Sequence, residues 1–177
     1  MKSGTRFLGI DDASHEKFED SSTYLIGVAY RGTEFIEDIK KQEIRIDGTD
    51  STEKIIELYR STEASKIGCI LLDGISFAGL NIADIQKISE ETDTPVVAVT
   101  KNRPDREKFY EALKIVDNHE GFWELDEPEE LELKDGTVYL QYAGTNLEEA
   151  KEAVKKSVIH GLTPEPIRVA DIIGRII

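Results

Sequence analysis

The chain has 177 residues, which is enough for one domain with a full hydrophobic core and too few for two ordinary domains. With 39% hydrophobic and 33% charged residues, its composition is typical of a soluble globular protein. No apolar run approaches the roughly 20 residues that span a membrane. The formal net charge of −14 argues against avid, non-specific binding to nucleic-acid backbones, but it leaves room for a local basic groove.

Two further features of the sequence bear on its location. The first 14 residues lack the apolar stretch and small-residue cleavage site of a secretory signal. The single cysteine, Cys69, excludes an intramolecular disulfide and a cysteine metal cluster. We therefore expect a cytoplasmic protein.

The first third of the chain predicts three strands and a helix. Residues 6–12 form a strand that ends in two adjacent acids, and strands at 23–30 and 34–46 follow with a turn signal between them. Short connections favour an antiparallel meander of the three. Asp50 or Ser51 then caps a helix whose apolar residues form one stripe.

The middle of the chain alternates strands and helices. An apolar run at 67–72 stops abruptly at Asp73 and Gly74, which is typical of a strand buried on both faces. A helix at 82–91, a strand at 95–100 and a helix from 104 to 116 follow.

The last third is less regular. Residues 118–135 predict a solvated loop with at most one short strand, and a strand at 137–142 and helices at 146–159 and 169–177 come after it. The whole order predicts an α/β fold, in which a mixed sheet carries helices on both faces.

The acids at strand ends suggest a chemistry. Asp11 and Asp73 each follow a buried strand, at the edge where open α/β sheets usually bind their ligands. Converging carboxylates repel one another unless a cation lies between them, and hard oxygen ligands favour Mg²⁺ or Mn²⁺. Such a site suits phosphodiester hydrolysis. The alternative is that both acids are unrelated turn residues.

Five segments of the sequence resemble a known family: GIDD at 9–12, IDGTDSTE at 46–53, LLDGISFAGLNIADI at 71–85, TDTPVVAV at 92–99 and TPEPIRVADII at 163–173. Together they resemble the archaeal domain-of-unknown-function family 99 (UPF0215-like) over nearly the whole chain. That family is similar to endonuclease V, which has a ribonuclease H-like fold and uses Mg²⁺ to cut nucleic acid near inosine. The resemblance implies one endonuclease V-like domain over residues 1–177.

The resemblance also implies roles for individual residues. Asp11 and Asp73 match catalytic metal ligands of endonuclease V, and Asp171 falls where that family places a further acid or histidine. Lys101 matches a lysine at a strand end, so it is a candidate for holding phosphate or positioning water, with an ordinary surface lysine as the alternative. Asp12, Asp47 and Asp50 are further candidate ligands.

The sequence also departs from endonuclease V. The segment with the strand-separating wedge and an Arg-Glu pair has no match, and Asp47, Asp50 or Glu53 is left to replace its glutamate. Residues 75–78 stand in place of a His-Pro-Arg segment. We therefore expect a metal-dependent nuclease or phosphodiesterase without inosine recognition, acting on single-stranded nucleic acid or a nucleotide. The alternative is a non-catalytic binding module on the same fold.

Overall fold

The computed structural model describes residues 4–15, 20–64, 66–115 and 126–177. The strands in these ranges are β1 (Arg6–Asp12), β2 (Ser22–Arg31), β3 (Phe35–Arg45), β4 (Cys69–Asp73), β5 (Ser76–Phe77), β6 (Asn81–Ile82), β7 (Val96–Thr100), β8 (Glu129–Leu133) and β9 (Gly136–Ala143). The helices there are α1 (Ser51–Ser61), α2 (Ile85–Thr92), α3 (Arg106–Ile115), α4 (Leu147–Ser157) and α5 (Glu165–Gly174). The predicted end of the third helix at 116 and the first part of the predicted loop, up to residue 125, lie outside the described residues.

Seven strands form one mixed sheet in the order β3-β2-β1-β4-β7-β9-β8. The pairs β1–β2 and β2–β3 are antiparallel, which confirms the predicted meander. β4 lies parallel to β1, and β7 lies parallel to β4. β9 differs from the predicted run of parallel strands, because it is antiparallel to β7 and forms a hairpin with the edge strand β8.

The central strand β4 is buried on both faces, as its apolar run predicts. Because successive strand residues point to opposite faces, Cys69 and Leu71 pack into a cluster with α4 and α5, whereas Ile70 and Leu72 pack into one with α1 and α2. Cys69 is a buried free thiol. Helices therefore cover both faces of the sheet.

A glycine in β1 sets the distance between the sheet and α5. A Cβ on Gly9 would lie 2.4 Å from the carbonyl carbon of Pro166, far inside a normal contact. The missing side chain lets the start of α5 lie directly against the backbone of β1. α5 then runs along β1 and β2, which brings its later residues toward the carboxyl end of β1.

Two helices begin three or more residues away from their predicted starts. α2 begins at Ile85 rather than 82, because Asp84 caps it by accepting from the backbone nitrogen of Lys87 at 2.9 Å, and the residues before it form the β5–β6 hairpin. α5 begins at Glu165, four residues before the prediction, with Pro166 in its first turn. β8 is a short strand of the kind that the prediction allowed within residues 118–135.

No helix in the described ranges combines the length and the apolar character that crossing a bilayer requires.

Candidate metal centre and adjoining cavity

The topology places the two principal acids side by side. In the parallel pair β1–β4, Ile10 is the register partner of Leu72, so the next residues, Asp11 and Asp73, leave the sheet at the same edge. β7 lies on the other side of β4 and ends at Thr100, just before Lys101. The carboxyl ends of three neighbouring parallel strands thus bring Asp11, Asp73 and Lys101 to one place.

The carboxyl group of Asp11 is buried, with 7% of the residue exposed. Burial, together with the nearby charges of Asp73, Asp12 and Asp171, raises its pKa to about 8. The backbone nitrogen of Asp12 donates to Oδ1 of Asp11 at 2.9 Å, which opposes the rise only in part. Asp11 therefore favours the neutral form at neutral pH unless a cation compensates its charge.

Asp73 reaches the surface at the end of β4. Desolvation of its carboxyl group raises the pKa, and the charges of Asp12 and Asp171 add to the rise, whereas the ammonium of Lys101 lowers it. No described residue donates a hydrogen bond to its side chain. Lys101 is thus the cation that acts on the pKa of this carboxylate.

Asp171 approaches the same acids from α5 but is already engaged. Its two carboxylate oxygens accept from Nε of Arg175 at 2.9 Å and from Nη2 of Arg175 at 2.6 Å. Within the described ranges, no three acidic, histidine or cysteine side chains are gathered closely enough to form a ready metal cage. The convergence of Asp11, Asp73 and Asp171 on one ion stays a prediction.

The other candidate acids at this end of the sheet are held by backbone and side-chain donors. Oδ2 of Asp12 accepts from the backbone nitrogen of Ala78 at 2.8 Å, and Oδ1 of Asp47 accepts from that of Leu80 at 2.8 Å. These two acids therefore fix the loop between β5 and β6 from both sides.

Asp50 and Glu53 are engaged in the same way. Asp50 accepts from Nδ2 of Asn81 at 2.7 Å and from Nε of Arg45 at 3.2 Å. Burial raises the pKa of Asp50, but the hydrogen bonds from Asn81 and Arg45 lower it by more, so the pKa lies below its ordinary value. Glu53 pairs with Lys87 across α1 and α2 at 2.9 Å. These contacts do not link Asp50 or Glu53 to the Asp11–Asp73 pair.

A cavity of about 470 Å³ adjoins Asp73, and the sequence patterns described above do not predict it. It extends from Asp73 and Lys101 over the loop after β7 to Phe109 of α3 and Gln141 of β9. Two arginines, Arg103 and Arg106, also line it. The only signal in the sequence is the motif KNRPDR at 101–106, whose three cations stand out in an acidic chain.

Comparison with known proteins agrees with this geometry. The model of the family described as "Endonuclease dU" matches residues 3–177. The chain belongs to this family. A UPF0215 protein of Archaeoglobus fulgidus is 37% identical over 170 residues, which cover 96% of this chain and 91% of that protein.

Solved structures extend the comparison to the fold. A crystal structure of a protein of unknown function from Archaeoglobus fulgidus has a TM-score of 0.85 and 35% identity, covering 96% of both chains. Endonuclease V of Ciona intestinalis, solved in complex with a 24mer DNA containing an inosine followed by a ribo-adenosine, has a TM-score of 0.62 and 15% identity, covering 97% of this chain and 84% of that one. The endonuclease V-like α/β fold that the sequence predicts for this chain is therefore confirmed.

The donor set fits a hard divalent cation. Asp11 and Asp73 offer carboxylate oxygens, and a cation beside them would offset the burial and the nearby negative charges that raise their pKa values. Asp12 stands next to Asp11 and raises the pKa of both acids, although one of its oxygens is already bonded to Ala78. The residues present are thus suited to hold Mg²⁺ or Mn²⁺.

Proposed function

We propose that the protein is a divalent-metal-dependent nuclease of the endonuclease V type. The observation that carries the proposal is the pair Asp11 and Asp73, two carboxylates at the ends of adjacent parallel strands whose pKa values are both raised. Perturbed acids that converge at the ligand-binding edge of an α/β sheet are typical of functional sites. The match to the family described as "Endonuclease dU" and the fold shared with endonuclease V support the same reaction class.

Each residue of the site has a proposed task. Asp11 and Asp73 hold Mg²⁺ or Mn²⁺, which when bound supplies an activated water and neutralises the leaving oxygen. The backbone nitrogen of Asp12 fixes one oxygen of Asp11, so this ligand is oriented before the metal binds. Lys101, exposed at the end of β7, attracts a phosphate of the substrate toward Asp73. Asp171 becomes a third ligand once it is released from Arg175.

The proposed substrate is a DNA strand that carries deoxyuridine. The family description names deoxyuridine, whereas the wedge segment with which endonuclease V separates strands has no match in this sequence. We therefore propose action on single strands, with no preference for inosine. The cations at the cavity beside Asp73 supply local phosphate attraction that the net charge of −14 would otherwise oppose.

A second candidate function is a non-catalytic module that binds nucleic acid or nucleotides. The ion pair between Arg175 and Asp171 favours it, because Arg175 occupies both carboxylate oxygens of the third acid. This candidate predicts binding without cleavage.

A cleavage assay separates the two candidates. Matched single strands that carry one deoxyuridine, one deoxyinosine or neither are incubated at fixed salt with Mg²⁺, with Mn²⁺ or with EDTA. We expect metal-dependent cleavage of the deoxyuridine strand, weakened by added salt, and no preference for the inosine strand. A strong preference for inosine would contradict the proposed specificity, and metal binding without any cleavage would favour the binding module.

Two variants control the assay. Asp73→Asn keeps the size of the side chain but removes the charge that holds the metal, so we expect cleavage to be lost. Asp93→Asn is the matched control, because Asp93 lies before β7, at the opposite edge of the sheet. Its φ of 48° is a conformation that asparagine tolerates, so the control should cleave like the unmodified protein.

A further inference from the structure

The cavity beside Asp73 has the composition of a binding site for a flat, partly polar ligand. Its volume of about 470 Å³ falls in the range of roughly 300–1,000 Å³ of small-molecule sites. Ile75, Pro104 and Phe109 provide apolar surface on its wall. Phe109 also packs against the core beneath, so the aromatic part of the wall is anchored in the fold. Such surfaces suit the faces of a nucleobase.

Two amide side chains, Asn102 and Gln141, also line the cavity. Gln141 donates through Nε2 to the backbone oxygen of Asp126 at 3.1 Å, which fixes its side chain and leaves its carbonyl oxygen as an acceptor. Asn102 is exposed, and its amide forms no hydrogen bond with a described residue. An amide offers a donor and an acceptor side by side, which complements the carbonyl oxygen and ring N–H of uracil.

The mouth of the cavity carries positive charge next to the candidate metal ligands. Lys101 and Asp73 both line the cavity, and the ammonium of Lys101 lowers the pKa of Asp73. Arg103 is exposed and approaches Glu130 only at 3.9 Å, whereas the less exposed Arg106 pairs with Glu127 at 3.3 Å. An exposed ion pair of this kind contributes little, so Arg103 remains available to a phosphate.

We propose that this cavity binds one pyrimidine nucleotide of the substrate strand, with the base against Ile75 and Phe109 and its polar edge on Asn102 and Gln141. The choice of a pyrimidine rests on the proposed function. The phosphate of that nucleotide then lies toward Lys101, so base recognition sets which phosphodiester bond reaches Asp73. The loop that follows β7 thereby connects the recognition of the base with the position of the bond that is cleaved.

The test measures binding rather than cleavage. Fluorescence anisotropy, with EDTA present, gives the dissociation constants of labelled single strands that carry at one position deoxyuridine, deoxyinosine or an abasic sugar. For the unmodified protein we expect the deoxyuridine strand to bind about tenfold more tightly than the abasic strand, as the stacking of one base predicts. We expect the inosine strand to bind less tightly than the deoxyuridine strand.

Three variants locate the effect. Asn102→Trp fills the cavity from an exposed loop position, so the ratio between the abasic and deoxyuridine constants should fall from about ten to about one. Asn102→Leu removes only the amide and should reduce the ratio in part. Thr33→Trp, in the exposed turn between β2 and β3 at the opposite edge of the sheet, should leave the ratio unchanged.

The outcomes separate this inference from the proposed function. If the unmodified protein binds all strands equally, or if Asn102→Trp keeps the ratio, the cavity is not the base site, whether or not cleavage occurs. If the ratio is lost only in the Asn102 variants while no strand is cleaved in Mg²⁺ or Mn²⁺, the cavity assignment stands and the nuclease proposal falls. Free deoxyuridine monophosphate, added as a competitor, shows whether the site also accepts a nucleotide outside a strand.

Discussion

Two groups of aspartates lie at the same edge of the sheet, and they differ in the number of hydrogen-bond donors that compensate their charges. Asp47 and Asp50, in the turn after β3, accept hydrogen bonds from Leu80, Asn81 and Arg45. Asp11 and Asp73, at the ends of β1 and β4, have one backbone donor between them in the described structure.

The pKa values record the difference. The pKa of Asp50 is lowered, because its donors outweigh burial, whereas the pKa values of Asp11 and Asp73 are raised by burial and by the charges of neighbouring acids, Asp12 and Asp171 among them. Carboxylates with fixed donors stabilise the fold in their charged form. A buried carboxylate that lacks donors has a charged form of high free energy, and a bound cation lowers that free energy. The contrast separates acids that hold a loop from acids that are suited to hold a metal.

The largest expected effect is on cleavage. Asp11→Asn should reduce metal-dependent cleavage by on the order of 10³-fold, because a lost metal ligand removes several kcal/mol of transition-state stabilisation. Asp50→Asn should change the rate by no more than a few-fold at a temperature well below unfolding. Calorimetric titration with Mn²⁺ checks the cause: the heat of binding should be lost in Asp11→Asn and in Asp73→Asn. Equal heats in Asp73→Asn and the unmodified protein would contradict the shared site.

The second effect is a pH dependence of stability. In EDTA, the folded protein keeps a proton on Asp11 up to its pKa of about 8, whereas the unfolded chain releases it near the ordinary value of 3.8. The unfolded state therefore binds fewer protons between about pH 4 and pH 8, and the free energy of unfolding falls as the pH rises through this window. The loss should be on the order of a few kcal/mol.

Thermal unfolding at pH 5 and pH 8 measures this dependence. Asp11→Asn carries no titratable group at this position, so its melting temperature should fall less between the two pH values and should exceed that of the unmodified protein at pH 8 in EDTA. Asp93→Asn serves as the control, since Asp93 lies at the opposite edge of the sheet. A melting temperature that rises from pH 5 to pH 8 in EDTA would contradict the assignment.

The third effect concerns the aspartates that hold the loop. Asp50→Ala removes the acceptor of Nε of Arg45 and one of the two acceptors of Nδ2 of Asn81, which keeps its bond to the backbone oxygen of Arg45, so the free energy of unfolding should fall by about 1–3 kcal/mol. Asp73→Ala removes a charge without a described donor and should leave stability unchanged or raise it in EDTA. Urea unfolding compares the two variants. Equal losses in both would show that the two groups of acids do not differ.

The sequence predicts one of these groups better than the other. Asp11 and Asp73 could be located because each ends an apolar run, and because runs of that kind become neighbouring parallel strands with a common edge. The structural use of Asp47 and Asp50 depends on donors that lie about 30 residues further along the chain, at Leu80 and Asn81, and no local pattern encodes such contacts.

The cavity was out of reach for a similar reason. Its wall combines the ends of β4 and β7, the first turn of α3 and the strand β9, and the antiparallel placement of β9 was not predicted. By contrast, the pair Asp171 and Arg175 has the four-residue spacing of a helical ion pair and could have been predicted. Local spacing is thus readable from sequence, whereas walls made of distant elements are not.

The smallest expected effect joins the two groups. Arg175 donates to both carboxylate oxygens of Asp171, so Asp171 is a potential metal ligand that a side-chain donor engages, as Asn81 and Arg45 engage Asp50. Arg175→Ala should release it and tighten Mn²⁺ binding up to about fivefold, since an exposed ion pair contributes about 0.2–1 kcal/mol. Removing a positive charge near Asp11 would also favour a cation, so the single variant does not identify the cause.

The double variant Arg175→Ala with Asp171→Asn identifies the cause. The gain in Mn²⁺ affinity should disappear if Asp171 binds the ion, and it should persist if only the local potential matters. Arg168→Ala, which breaks the ion pair with Glu165 in the same helix, is the matched control and should leave Mn²⁺ affinity unchanged.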